Sequence, residues 1–192
     1  SDQAFRLYLT GVADVTSYNI GRVIARPNSG IIKETRHTLL TQQVRELLQE
    51  TELTVPTLIL DDGIELPNPL VIYPMVLSRS FDAHVACIHG DLHLQNVLVE
   101  PGNGNSYLID FGKSRQDHVL RDLLHLEMSV VTGLLPHYLD KEEFAPSQLV
   151  DFYTRLHCAI QHPEKIIAPG NLQRPFFILQ QVRKGAQRYL FK

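Results

Sequence analysis

Hydrophobic and polar positions follow one rhythm near the start of the chain and another further on. Residues 5–10 and 18–26 carry Tyr, Val and Ile in short runs bordered by Gly11 and Asn19-Ile20-Gly21, which predicts strands. Arg26-Pro27-Asn28-Ser29-Gly30 reads as a turn, and Ile31-Ile32-Lys33 as the start of a third strand. Over residues 35–50 the period lengthens. Leu39, Leu40, Val44, Leu47 and Leu48 fall on one face of a helix, with Gln42, Gln43, Arg45 and Glu46 elsewhere. Residues 57–60 and 70–73 read as two more strands; Asp61-Asp62-Gly63 turns after the first, and Pro67 and Pro69 limit the start of the second. Beyond residue 118 the pattern is helical. A helix over 118–132 is ended by Gly133 and Pro136, another over 146–161 has Pro146 in its first turn, and a third over 175–190 is interrupted by Gly185. This order predicts a small α/β lobe followed by a mainly helical lobe, with a border near residues 73–80 and a cleft between them.

The informative stretch is His89-Gly90-Asp91-Leu92-His93-Leu94-Gln95-Asn96, followed by two apolar runs around Pro101-Gly102-Asn103-Gly104-Asn105. Such runs about a Gly/Asn turn predict a β-hairpin. With the turn centred on Asn103, Val97 faces Ile109, Val99 faces Tyr107, and Asn96 faces Asp110 at the open end. Directly opposed residues have Cβ atoms about 5 Å apart. An amide oxygen and a carboxylate then converge, and both are hard ligands suited to Mg²⁺. Asp91, five residues before Asn96, can reach the same end and accept a proton from an attacking hydroxyl. A base Asp, a metal Asn and a metal Asp after a hairpin form the layout of a kinase catalytic centre. The bland alternative is that these are turn formers, with Asp110 capping the next turn.

Composition narrows the field. The chain has 192 residues, 44% hydrophobic and 20% charged, with a formal net charge of −3. That balance argues against bulk disorder and against nucleic acid as a partner. No run approaches the ~20 apolar residues of a membrane helix, and Ser1-Asp2-Gln3-Ala4 is not a signal peptide. Two cysteines, Cys87 and Cys158, are too few for a disulfide scaffold or a structural zinc site, and both read as packing residues. A cytoplasmic enzyme or binding domain, with no membrane and no nucleic-acid partner, is the expectation.

The stretch HGDLHLQNVLV…YLIDFG, continued by Val119-Leu120-Arg121-Asp122-Leu123-Leu124-His125-Leu126-Glu127, resembles the aminoglycoside phosphotransferase and choline kinase families. It looks most like their bacterial relatives, the phosphotransferase-like ternary-complex-associated domains. The resemblance implies an α+β, protein-kinase-like two-lobed fold: a reduced N-lobe and hinge over residues 1–76 and a mainly helical C-lobe over 77–192. It implies transfer of the γ-phosphoryl group of ATP or GTP to a hydroxyl acceptor, with Mg²⁺ as cofactor, often within a larger multidomain protein. Asp91 would be the base, and Asn96 and Asp110 the metal ligands. His89 would brace the loop, Asp122 would hydrogen-bond its backbone, and His93 would be structural or near the phosphate. In the first lobe Lys33 would hold the α/β-phosphates and pair with Glu46; a surface lysine and a solvated glutamate are the alternative. Tyr73-Pro74-Met75-Val76 would be the hinge that meets adenine, with a buried strand end as its alternative.

The chain departs from that family in two ways. Gly11 and Gly21 form no G-x-G-x-x-G loop, and residues 77–88 leave no room for the helices that fill this interval in the relatives. A catalytically silent, pseudokinase-like nucleotide-binding or scaffold domain is therefore the second expectation. A third is a metal-dependent hydrolase, in which His89, Asp91 and His93, as H-x-D-x-H on a strand, would point to one face.

Overall fold

The computed structural model describes residues 14–19, 34–48, 52–60, 63–139, 145–161, 166, 168 and 170–190. The expected strand over 5–10, most of that over 18–26, the turn after it and the Ile31-Ile32-Lys33 strand lie outside these residues. The chain is a mixed α+β protein that divides into two compact units, Thr16–Ala83 and Ser1–Val15 with His84–Lys192. Strand β1 (Asp14–Asn19) belongs to a three-stranded sheet of order β1-β4-β7, whose other members are β4 (Ser80–Ile88) and β7 (Arg115–His118).

In the Thr16–Ala83 unit, helix α1 spans Glu34–Leu47. Its apolar face is narrower than the sequence pattern suggests. Val44 is buried, whereas Leu39 and Leu47 are exposed. The antiparallel pair β2 (Thr57–Ile59) and β3 (Glu65–Pro67) closes through Gly63, whose φ of 78° suits a residue without a Cβ. Helix α2 (Pro69–Ser78) contacts α1. This helix corrects the expected strand over 70–73, and the residues expected as a hinge, 73–76, lie within it. The deciding signal is Asn68-Pro69. Asn68 is fully buried, its Oδ1 accepts from the Leu70 amide at 2.9 Å, and its Nδ2 donates to the Leu53 and Val55 carbonyls at 2.9 and 2.8 Å. An N-cap Asn followed by Pro at the first helical position starts a helix, and the β-branched run after it follows.

The His84–Lys192 part is built on three main helices: α3 (Arg121–Gly133), α5 (Pro146–Gln161) and α6 (Gln173–Leu190), with the short α4 (Pro136–Leu139) after α3. Their core contains Val130, Leu135, Phe152, Leu156, Ala159, Leu172, Phe176 and Leu179. On α5, Phe152, Leu156 and Ala159 recur at helical spacing, and Phe152 meets Phe176 edge-on at 5.5 Å. Arg183 of α6 clasps Glu127 of α3 through Nη2 at 2.6 Å and Nε at 3.0 Å. Gly185 does not interrupt α6.

β3, β4, β7 and all but the last two residues of β1 lie where no strand was expected. β4 fills the interval between α2 and His89. It pairs antiparallel with β7, Val85 opposite His118 and Ile88 opposite Arg115. The expected helix over 118–132 therefore begins three residues later, because Arg115-Gln116-Asp117-His118 is a strand. The cysteines are also corrected. Ala86 and Ile88 are buried, so the two-residue period of β4 turns Cys87 outward. Cys158 lies off the buried stripe of α5 and is exposed. Among the described residues, no helix is long and apolar enough to cross a membrane.

Candidate functional site

All the residues that gather here belong to the His84–Lys192 part of the chain. Strand β4 ends at Ile88, and the loop His89-Gly90-Asp91 leaves it. The loop is fixed by one carboxylate from the first turn of α3. Asp122, buried to 3% exposure, accepts from the His89 amide at 2.7 Å and the Gly90 amide at 2.9 Å. Both amides would otherwise be orphaned beside a protein interior. Gly90 has φ of 83°, and a Cβ there would overlap the Lys113 carbonyl oxygen. Only glycine suits this position.

His89 is fully buried. Its Nε2 donates to the Ile109 carbonyl at 2.7 Å, and its ring lies 4.6 Å from that of Phe111. Its Nδ1 has no hydrogen-bond partner among the described residues. The ring thus ties the loop to the segment that carries Asp110.

After Asp91 the chain forms a 3-10 turn, Leu94–Asn96, then the hairpin β5 (Val97–Val99) and β6 (Ser106–Leu108). The register differs by one residue from the expected one: Val97 opposes Leu108 and Val99 opposes Ser106. The turn is closed by Glu100 donating to Asn105 and Gly104 donating to Glu100, both at 2.9 Å, so its centre falls before Asn103. Asn96 consequently faces Ile109, whose amide donates to the Asn96 carbonyl at 3.1 Å, rather than Asp110. The cross-strand pairing that suggested convergence of Asn96 and Asp110 is not formed.

Asp110 instead turns the chain. Its φ and ψ of 63° and 60° are left-handed, and it precedes the 3-10 turn Phe111–Lys113. Its exposed carboxylate makes no ion pair or hydrogen bond with a described residue, and its Oδ1 lies over Gly112. Asn96 is buried, its Nδ2 donates to the Asp91 carbonyl at 2.9 Å, and its Oδ1 takes no hydrogen bond from a described residue. Two oxygen donors, both of the hard type, are thus left uncommitted among the described residues. Among the described residues, no three His, Cys, Asp or Glu side chains gather to hold a metal ion.

Asp91 is not uncommitted. Its Oδ2 accepts from Lys113 Nζ at 2.5 Å, and its Oδ1 lies 3.8 Å from His125 Nδ1. The Lys113 hydrogen bond holds the Asp91 carboxyl below the usual range. Burial lowers His125, opposed by the Asp91 charge. The His93 ring meets that of His125 edge-on at 5.9 Å, and the His93 carbonyl accepts from the Asn96 amide at 2.9 Å.

A sequence profile for Ternary complex associated domain 9 matches residues 8–190. The chain belongs to that family. No curated protein and no solved structure matches it. The match covers both units of the family member, so the loop around Asp91 lies within the shared domain.

The remaining expected residues lie elsewhere or outside the described chain. Lys33 is outside the described residues. Glu46 is exposed on α1 and accepts from Gln42 and Gln43 at 3.0 and 3.1 Å. Tyr73 and Met75 lie inside α2, and the Met75 carbonyl accepts from Ser78 Oγ at 2.8 Å. His89, Asp91 and His93 do not alternate along a strand. They lie in the loop after β4, with His89 Nε2 committed to the Ile109 carbonyl, so the strand alternation on which the hydrolase alternative was built is not formed.

The sequence marks Lys113 and Arg115, just after Asp110, as residues that could meet phosphate or an acidic partner, with a solvated loop as the alternative; it does not single out Asp117. Arg115 Nη1 donates to the Lys113 carbonyl at 3.0 Å, and its Nε donates to Asp117 Oδ2 at 3.0 Å. Asp117 is buried and also pairs with Arg121 at 3.3 Å. The available signal was charge alternation, Lys113, Arg115 and Asp117 at a period of two.

Proposed function

We propose that the chain is a kinase-like phosphotransferase that moves the γ-phosphoryl group of ATP or GTP to a hydroxyl acceptor with Mg²⁺. The supporting observation is the loop clasped by Asp122, which fixes the backbone on either side of His89, just before Asp91. Its other support is the sequence resemblance of HGDLHLQN and IDFG to aminoglycoside phosphotransferases and choline kinases. In this reading Asp91, whose carboxyl Lys113 holds low in the nucleotide-free protein, accepts the hydroxyl proton as the acceptor attacks. Asn96, through Oδ1, and Asp110 would hold the cation. When bound, Mg²⁺ offsets negative charge on the phosphate oxygens. Asp122 and His89 position the loop and touch no substrate.

The test is calorimetric titration of ATP, with and without Mg²⁺, into the wild type and Asp110→Ala. Metal-dependent binding that the variant loses is the expected result. Asp91→Asn should abolish turnover in an acceptor screen while retaining nucleotide. Absence of binding to the wild type overturns the reading. A second reading, a nucleotide-binding domain without turnover, is favoured by the ion pair that covers Asp91; Mg·ATP binding with no transfer to any acceptor would select it.

A further inference from the structure

Lys113 has the marks of a solvated loop residue, since its side chain is 64% exposed. Its surroundings contradict that description. Nζ donates to Asp91 Oδ2 at 2.5 Å. Its carbonyl is held by Arg115, which is held in turn by buried Asp117. The same carbonyl is seated on Gly90 so closely that no other residue fits beneath it, and a Cβ there would also lie 2.6 Å from Arg115 Nη1. The backbone of Lys113 is therefore fastened to the Asp91 loop, while the four-carbon stem beyond it is in solvent. A pinned base with a free stem lets the ammonium move several ångströms without disturbing the fold.

We propose that Lys113 is the phosphate-contacting residue of this site. It covers Asp91 in the nucleotide-free protein and passes its ammonium to the terminal phosphate when nucleoside triphosphate binds. The inference rests on the nucleotide reading above and assigns that site a residue and an order of events. The chemistry favours the exchange. A terminal phosphate offers an ammonium more charge and more acceptor oxygens than a carboxylate does. Asp91 and that phosphate repel one another unless a cation lies between them. The same movement uncovers Asp91 for the acceptor hydroxyl, so the base is exposed only when the phosphoryl donor is in place.

The experiment is titration of Mg·ATP and Mg·ADP into the full chain as wild type, Lys113→Met, Lys113→Arg and Asp91→Asn. Methionine keeps the stem and removes the charge; arginine keeps the charge. Lys113→Met is expected to lose about tenfold in ATP affinity, the size of one charge-assisted hydrogen bond, with ADP affinity within about twofold of wild type. Lys113→Arg should retain the preference for ATP. Asp91→Asn, which releases the lysine, should bind ATP several-fold more tightly, a gain that a structural role for Lys113 would not produce. An unchanged ATP-to-ADP ratio in Lys113→Met overturns this inference alone. Failure of the wild type to bind either nucleotide overturns both it and the phosphotransferase reading.

Discussion

Replacing Asp122 by alanine tests whether one buried carboxylate holds the Asp91 loop. The side chain is 3% exposed, and its two oxygens accept from the His89 and Gly90 amides. Hydrogen bonds to a charged group contribute roughly 1.5–3 kcal/mol each, and losing both strands two buried donors. Part of that loss is offset, because alanine also removes the desolvation cost of a buried charge. The expected net destabilisation is about 3 kcal/mol, which is large for a single substitution. With an m value of roughly 2 kcal/mol/M in urea, the midpoint should fall by about 1.5 M. The assay is urea unfolding at pH 7 followed by far-UV circular dichroism, read in the transition that melts α3, α5 and α6. Asp151→Ala is the control. Asp151 lies exposed on α5, paired among the described residues with Arg155 along the helix, and its loss should stay within about 0.5 kcal/mol. A shift for Asp122→Ala no larger than the control's would refute the clasp.

Gly90→Ala should destabilise by several kcal/mol, about the cost of overpacking added to an unfavourable φ, because its Cβ meets the Lys113 carbonyl; thermal melting would show it. Leu156→Ala, at a fully buried core position, should cost about 2–5 kcal/mol in the same urea assay. His118 is lowered by burial, and its Nδ1 accepts from the Leu120 amide at 3.0 Å, so the folded state binds fewer protons than the unfolded one. Stability should therefore fall as the pH drops through the unfolded value near ~6.5 and level off below the lowered folded value; urea midpoints for the wild type and His118→Gln between pH 8 and 5 check this, with a flatter profile for the variant. Asp110→Gly should leave the urea midpoint unchanged or raise it, because glycine adopts the left-handed conformation without strain, yet abolish Mg²⁺-dependent ATP binding. A midpoint drop together with intact binding would make Asp110 a turn former only.

The helices were legible where their pattern was self-contained. Pro146 and the Phe152, Leu156, Ala159 stripe carry their own start signal and face, and α5 spans the residues that the pattern marks. The strand β7 was not legible, because a strand signal depends on apolar alternation. At Asp117 an acid sits inward and is neutralised by Arg115 and Arg121, a pairing that appears only once α3 is packed. Helix α2 was legible in hindsight from Asn68-Pro69, but the apolar run after it carries a β-branched composition that competes with the cap. Within the candidate site, the residue types and the hairpin could be read from the chain. The register could not, because a six-residue connection, residues 100–105, with Gly104 in a left-handed conformation shifts the pairing by one.

That one-residue shift bears directly on Asp110. Had the hairpin paired Asn96 with Asp110, Asp110 would be an ordinary extended residue at a strand end. Instead the ladder stops at Leu108, and Asp110 is the one non-glycine among the described residues with a positive φ. Such a conformation costs on the order of 1–3 kcal/mol unless the surroundings impose it, though aspartate tolerates it better than most. The surroundings here do impose it. Ile109 is gripped on both its groups, its amide by Asn96 and its carbonyl by the buried His89 ring, and Phe111 packs against that ring on the other side. Asp110 is thus the link between two anchored neighbours, and its own carboxylate contributes to neither anchor. A residue used only to turn the chain would be better served by glycine, which is already the solution at Gly63, Gly90 and Gly104. Keeping an acid where glycine would be less strained makes sense if the carboxylate acts on something outside the fold.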